Sequence, residues 1–219
     1  MRLLLISSSN VYGYGFLDHA EPFLLDFLGE RRRIAFVPFA AHDHAGYTAK
    51  VRERLARMDR EIVSLDDAEA IFIGGGNTFR LLKTLYETGL LDVIRERVRG
   101  GTSYIGSSAG SIVTCPTIMT TNDMPIVRPP SFDAFGFIPF QLNCHYIDAD
   151  PNSTHMGETR EVRIAEFHEE HATPVLGLRE GSMLRVENGA TRLLGEKRAR
   201  IFRRGEPSFE IEPGSIVPE

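Results

Sequence analysis

The chain has 219 residues, 42% of them hydrophobic and 25% charged, enough to bury the core of one domain spanning residues 1–219. That composition excludes an intrinsically disordered chain, and a net charge of −5 is a poor match to a general binder of nucleic acid or of a membrane surface. No run approaches the roughly 18 apolar residues of a membrane span, and two cysteines, Cys115 and Cys144, are not a disulfide framework but read as reduced, buried thiols of a cytoplasmic protein.

The apolar run Leu3–Ile6 ends at Ser7-Ser8-Ser9-Asn10. It is too short for a signal-peptide core and the right length for a buried strand. Residues 17–29 read as a helix in which Pro22 is tolerable only near the first turn. A strand over 34–39, a helix over 47–58 and a short strand over 61–64 follow. Ala70–Ile73 is a buried strand closed by Gly74-Gly75-Gly76, and helices over 77–88 and 90–99 come next. Tyr104-Ile105 ends another strand, with a helix after Ser108. Strands alternating with helices predict an α/β fold, a mostly parallel sheet with helices on both faces. The last third reads differently, as short strands over 174–178, 183–186, 190–194 and 199–202. They predict a C-terminal antiparallel meander added to the sheet, with a hairpin turn at Asn188-Gly189.

Ligands of open parallel sheets bind at the carboxyl ends of the strands, and two features fall there. In Gly74-Gly75-Gly76-Asn77-Thr78, Phe79 stands where a dinucleotide fingerprint needs glycine, and no P-loop lysine follows. Asn77 reads as a helix N-cap. A cap does not need three glycines, but close approach of backbone N–H groups to a ligand, as in an oxyanion hole, does. The second feature, Gly106-Ser107-Ser108-Ala109-Gly110, matches the Gly-x-Ser-x-Gly nucleophile elbow. Its plain alternative is a small-residue helix start packed on the sheet.

A serine nucleophile needs a base. His19 reads as structural or surface, and His168 and His171 as surface residues at a helix end. His42 and His44 share a polar loop, but two histidines alone make a poor metal site. His145 closes an apolar run after the proline-rich loop 125–139 and is either a base or a buried structural histidine. Asp123, in Thr120-Thr121-Asn122-Asp123-Met124-Pro125, reads by itself as a cap or turn residue.

Taken together, Gly-Gly-Gly-Asn-Thr at 74–78, the elbow at 106–110, Cys115-Pro116-Thr117, Thr-Thr-Asn-Asp-Met-Pro-Ile at 120–126, His145 and Gly157-Glu158-Thr159-Arg160 resemble the peptidase E family of α-aspartyl dipeptidases, in order over nearly the whole chain. The resemblance implies a flavodoxin-like α/β fold related to class I glutamine amidotransferases, with serine where those enzymes use cysteine. It implies removal of N-terminal aspartate from dipeptides, with no metal and no cofactor. It makes Ser108 the nucleophile, His145 the general base and Asp123 the group that orients the base. The N–H groups of Gly76 and Ala109 would form the oxyanion hole, Arg160 would hold the substrate aspartate, and Asn77 and Thr78 would line the substrate pocket. The sequence departs from the family at Ser107, where a bulky aromatic residue is common, in a shortened 56–70 segment, and in a slightly longer loop between His145 and Arg160.

Other readings fit less well. An α/β-hydrolase has little room for its strands between Ser108 and His145. An amidotransferase would need a cysteine at the elbow, and Cys115 lies about two helical turns further on. A cyanophycinase-like hydrolase of an aspartyl polymer and a catalytically silent acidic-peptide module are the remaining alternatives. The expected partner is a small peptide, with no nucleic acid and no membrane, and the chain is expected to be a monomer or homodimer.

Overall fold

The computed structural model describes residues 1–152, 154 and 156–218. Five parallel strands form the centre: β1 (Leu3–Ile6), β2 (Arg33–Val37), β3 (Glu61–Ile62), β4 (Ala70–Ile73) and β5 (Ser103–Ser107). Two antiparallel strands, β8 (Ser182–Glu187) and β9 (Ala190–Gly195), extend the sheet beyond β1, giving the order β3-β2-β4-β5-β1-β8-β9. All four residues of β1 and of β4 are buried, the result expected of apolar runs covered on both faces.

Side-chain alternation divides the core in two. Leu4, Ile6, Phe72 and Ile105 point to one face, where α1 (Glu21–Leu28) and α2 (His44–Ala56) contribute Leu24, Phe27, Val51 and Leu55. Leu3, Leu5, Ile71 and Ile73 point to the other, against Leu81, Leu85, Ile94 and Val98 of α3 (Thr78–Glu87) and α4 (Leu90–Arg99). Helices therefore cover both faces, as the alternating pattern predicts.

The helix expected over 17–29 is broken. A 3₁₀ turn at Asp18–Ala20 precedes α1, which places Pro22 in the first turn, and Gly29 at φ 55° ends it. Helix α2 begins three residues earlier than its apolar pattern suggests because Asp43 caps it, accepting from Gly46 N at 2.9 Å. Asn77 caps α3 as expected, accepting from Arg80 N at 3.0 Å. The helix after Ser108, α5 (Ala109–Ile112), is a single turn.

The expected C-terminal strands form and pair antiparallel, but they divide between two sheets instead of extending one. A second sheet, β11-β10-β7-β6, is built from β6 (Gln141–Cys144), β7 (Val175–Leu178), β10 (Ala199–Phe202) and β11 (Phe209–Ile211), and β6 and β7 run parallel. That parallel pairing requires a crossover, which α6 (Arg160–Glu170) supplies. Gly181, at φ 89°, turns the chain from β7 back to the main sheet as β8. The Asn188-Gly189 hairpin forms as expected, with φ 53° and 77° suited to a type I′ turn. The carboxyl ends of β1, β5 and β6 and the β7–β8 turn converge, with Ser7 N donating to Ser182 O and Tyr146 N to Leu178 O.

Cys115 and Cys144 are free and buried. His168 corrects the surface reading, since it is buried with Nε2 3.1 Å from Thr173 O, while His171 stacks on Phe167. Among the described residues no helix is long and apolar enough to cross a membrane, and no group of three His, Cys, Asp or Glu side chains is placed to hold a metal.

Candidate active site

The elbow follows from steric exclusion. Ser108 sits between β5 and α5 at φ 52° and ψ −111°, a conformation costly for any residue with a side chain. A Cβ on Gly106 would collide with Gly110 O, and one on Gly110 would collide with Ile73 O. The two glycines let the chain turn tightly enough to lift Ser108 out of the sheet. Ser108 Oγ lies 2.8 Å from His145 Nε2, whereas the Ser107 side chain is fully buried. Of the two serines, Ser108 is therefore the one that lines the cavity beside His145.

His145, just beyond β6, is held in place by its backbone as well as its ring. It sits at φ 54°, and its N–H donates to Ser7 Oγ at 3.1 Å, whose own hydroxyl donates to Leu178 O at 2.7 Å. The other ring nitrogen, Nδ1, lies 2.7 Å from Glu180 Oε1. Here the structure corrects the expectation for Asp123. The carboxylate that orients His145 is Glu180, from the β7–β8 turn. Asp123 Oδ2 instead accepts from Thr78 N at 2.7 Å, Thr78 Oγ1 at 2.5 Å and Thr121 Oγ1 at 3.2 Å. It is anchored to the start of α3 and cannot serve His145 with that oxygen.

The glycine turn lies against Ser108. A Cβ on Gly75 would come 3.1 Å from Ser108 Cβ, one on Gly74 would overlap the Tyr47 ring, and one on Gly76 would strike Ala40 O. Gly75 N donates to Tyr47 Oη at 3.0 Å. Among the described residues the N–H groups of Gly76 and Ala109 donate to no protein acceptor, as an oxyanion hole requires.

Asn77 and Thr78 hold the loop that carries Asp123. Thr78 is fully buried, and its contribution is to hold Asp123. Asn77 caps α3 and donates from Nδ2 to Met124 O at 2.8 Å, fixing the same loop. Asn77, Thr78 and Arg160 all stand behind the residues that line the cavity around Ser108. Arg160 begins α6 and donates to Asn122 Oδ1 at 2.7 Å. Its neighbours Glu158 and Glu161 pair with Arg163 and Arg200, so Arg160 has no carboxylate among the described residues. Burial, reinforced by the charge of Arg163, lowers its pKa from the ordinary arginine value. A partly desolvated, unpaired guanidinium is suited to an anionic ligand.

Ser108, His145, Asp123, Gly75 and Gly76 line one cavity of about 540 Å³, together with Ser8, Ser9, Asn10, Phe16, Ala41, Tyr47 and Lys50. Its residues come from both faces of the sheet. Asp123 belongs to the loop tied to α3, whereas Phe16, Tyr47 and Lys50 belong to the segments on the opposite face. Sequence reading missed Glu180, Tyr47 and Lys50. Glu180 lies between the strands expected over 174–178 and 183–186, where nothing local marks it, and the other two lie inside the helix expected over 47–58.

The signature of Peptidase family S51 matches residues 3–194. The chain belongs to peptidase family S51. It is thus a peptidase, a hydrolase, built on the α/β scaffold described above. Similarity to members of the family extends over the whole chain. It is 51% identical to "Peptidase E" of Streptomyces coelicolor, covering 100% of this chain and 94% of that one. It is 46% identical to "Probable alpha-aspartyl dipeptidase" of Drosophila melanogaster, covering 97% and 94%. The fold is shared with a putative peptidase E from Listeria monocytogenes, with a TM-score of 0.68 at 21% identity over 90% of this chain and 98% of that one.

Proposed function

We propose that this S51 peptidase is a serine-type enzyme that hydrolyses Asp-X dipeptides with a free N-terminal aspartate, through an acyl-enzyme on Ser108. The observation that carries the reading is the continuous contact from Ser108 Oγ to His145 Nε2 and from His145 Nδ1 to Glu180. The names of the relatives, peptidase E and α-aspartyl dipeptidase, support the substrate class.

In this reaction Ser108 Oγ attacks the scissile carbonyl carbon as its proton passes to His145 Nε2. Glu180 fixes the tautomer with hydrogen on Nδ1 and stabilises the imidazolium that forms. The negative charge on the carbonyl oxygen is met by the N–H groups of Gly76 and Ala109; losing one such donor in other enzymes costs about 10²–10³ in rate. The C–N bond breaks, His145 returns the proton to the leaving amine, and aspartate remains esterified to Ser108. Water then attacks with His145 again as base, releasing aspartate and restoring Ser108.

Two groups suit the substrate's own charges. Asp123 Oδ1 has no hydrogen-bond partner among the described residues, and its residue lines the cavity, so it serves as acceptor for the substrate ammonium. Arg160, held by Asn122 next to Asp123, serves the β-carboxylate.

The test is hydrolysis of Asp-Leu, Glu-Leu, Asn-Leu and N-acetyl-Asp-Leu by wild type and Ser108→Ala. The expected outcome is turnover of Asp-Leu alone, reduced by about 10⁶ in Ser108→Ala. Failure of wild type to hydrolyse Asp-Leu would transfer the reading to an aspartyl-polymer hydrolase or a binding module.

A further inference from the structure

The cavity holds a cation that the chemistry above does not use. Lys50 lines it together with Ser108, His145 and Asp123, and it is the one lysine or arginine among the described residues that do so. Its position follows from α2. Tyr47, one turn earlier on the same helix, lies against Gly74 and accepts from Gly75 N. Gly75 in turn abuts Ser108. Residues i and i+3 of a helix stand side by side, with Cβ atoms about 5–6 Å apart. The contacts of Tyr47 thus bring the Lys50 stem to the rim beside the nucleophile.

Acidic groups near Lys50 are engaged elsewhere. Asp18 and Glu21 pair with Arg54, at 3.2 and 2.5 Å, and Glu53 pairs with Arg57 at 2.6 Å. Among the described residues Lys50 has no carboxylate partner. Its Nζ lies 4.2 Å from the centre of the Phe16 ring, which also lines the cavity. An aromatic face holds an ammonium in place without neutralising it.

An Asp-X dipeptide carries three charges. Asp123 and Arg160, on the α3 side of the sheet edge, account for the ammonium and the β-carboxylate. The carboxylate of X is left. It lies two bonds past the nitrogen of the scissile bond, on the leaving-group side. Lys50 approaches the same cavity from the opposite face of the sheet and has the complementary sign.

We infer that Lys50, held by Phe16, binds the C-terminal carboxylate of the leaving residue and so makes the enzyme prefer dipeptides to blocked or longer aspartyl substrates. This rests on the proposed aspartyl dipeptidase activity and adds its leaving-side recognition. Lysine suits the role because its compact charge and flexible stem can follow a carboxylate whose position shifts with the identity of X.

The experiment compares kcat/KM for Asp-Leu and Asp-Leu-amide in wild type, Lys50→Met and Lys50→Arg. Wild type is expected to prefer the free acid about fivefold, the strength of a solvent-exposed ion pair. The preference disappears in Lys50→Met, returns largely in Lys50→Arg, and weakens in wild type at high salt. Equal preference in wild type and Lys50→Met overturns the inference, as does an equal fall for both substrates, which signals a structural defect in α2. Wild type that cleaves neither substrate overturns the dipeptidase reading and this inference with it. Wild type that cleaves both with a preference indifferent to Lys50 overturns this inference alone.

Discussion

Glu180 Oε1 and His145 Nδ1 are 2.7 Å apart, although 35 residues separate them, because the strands they follow, β7 and β6, are paired. The order of the three groups along the chain is therefore serine, histidine, glutamate. Asp123, the nearest acid downstream of Ser108 in a polar cluster, is bound to Thr78 and Thr121 instead. Glu180→Gln should lower kcat by about 10²–10⁴ with little change in KM, because the substituted amide no longer stabilises the imidazolium. Asp123→Asn should act chiefly on KM for substrates with a free amine. Steady-state kinetics on Asp-Leu distinguish the two. A kcat collapse in Asp123→Asn with a nearly normal Glu180→Gln would reverse these assignments.

Tyr47 joins α2 to the glycine turn through its hydroxyl. Tyr47→Phe keeps the ring that fills the space over Gly74 and removes the acceptor of Gly75 N. The neighbouring Gly76 N–H then loses its fixed direction toward the developing oxyanion. The expected result is about a tenfold fall in kcat with KM nearly unchanged, consistent with loss of roughly 1–2 kcal/mol of preorganised hydrogen bonding. Rate measurements at saturating Asp-Leu check this, and a change confined to KM would exclude the positioning role.

Gly110→Ala should destabilise the protein as well as inactivate it. The new Cβ would press on Ile73 O of a fully buried strand, where neither backbone can yield. Overpacking of this kind costs about 1–3 kcal/mol, which for a chain of this size lowers Tm by several degrees. Thermal unfolding followed by circular dichroism measures it. A wild-type Tm in the variant would mean that the elbow tolerates a methyl group.

Arg179, next to Glu180, holds the turn that delivers the glutamate. Its guanidinium contacts Asp148 Oδ1 at 2.6 Å and Glu210 Oε2 at 2.8 Å, tying the segment after His145 to β11. Hydrogen bonds from Arg179 hold the pKa values of both Asp148 and Glu210 below the ordinary carboxylate range. A carboxylate whose pKa is lower in the folded state stabilises that state fully above the unfolded value, about 4, and loses the contribution as pH falls through the folded value. Stability should therefore be flat in this respect above about pH 5 and decline below about pH 4. Arg179→Gln should reduce that acid dependence and lower kcat by loosening Glu180. Urea unfolding between about pH 3 and 7 reads the first effect, and an unchanged acid limb would show that the cluster does not contribute.

Much of the architecture was legible from residue order. Uninterrupted apolar runs at Leu3–Ile6 and Ala70–Ile73 specify strands buried on both faces, because no polar side chain is available to face water. Asn77 marks a helix start, and Gly106 and Gly110 bracket a serine in a turn that side chains would block. These are local matters, settled by backbone geometry within a few residues. Ser108 and His145 were also identifiable, the first from its turn and both from the family pattern.

Only the tertiary structure decided the partition of the C-terminal strands and, with it, the carboxylate that meets His145. Whether β7 joins the main sheet or pairs with β6 depends on which apolar surfaces meet, and alternation within a strand carries no such information. Once β7 lies beside β6, its final turn reaches His145 and supplies Glu180. The same long-range packing brings Lys50 of α2 and Asp123 of the α3-bound loop to one cavity from opposite faces of the sheet. Local sequence determined which turns and strands could form. The pairing of distant strands and the stacking of helices on two faces determined which charges surround Ser108, because hydrophobic burial is non-directional and does not itself select neighbours.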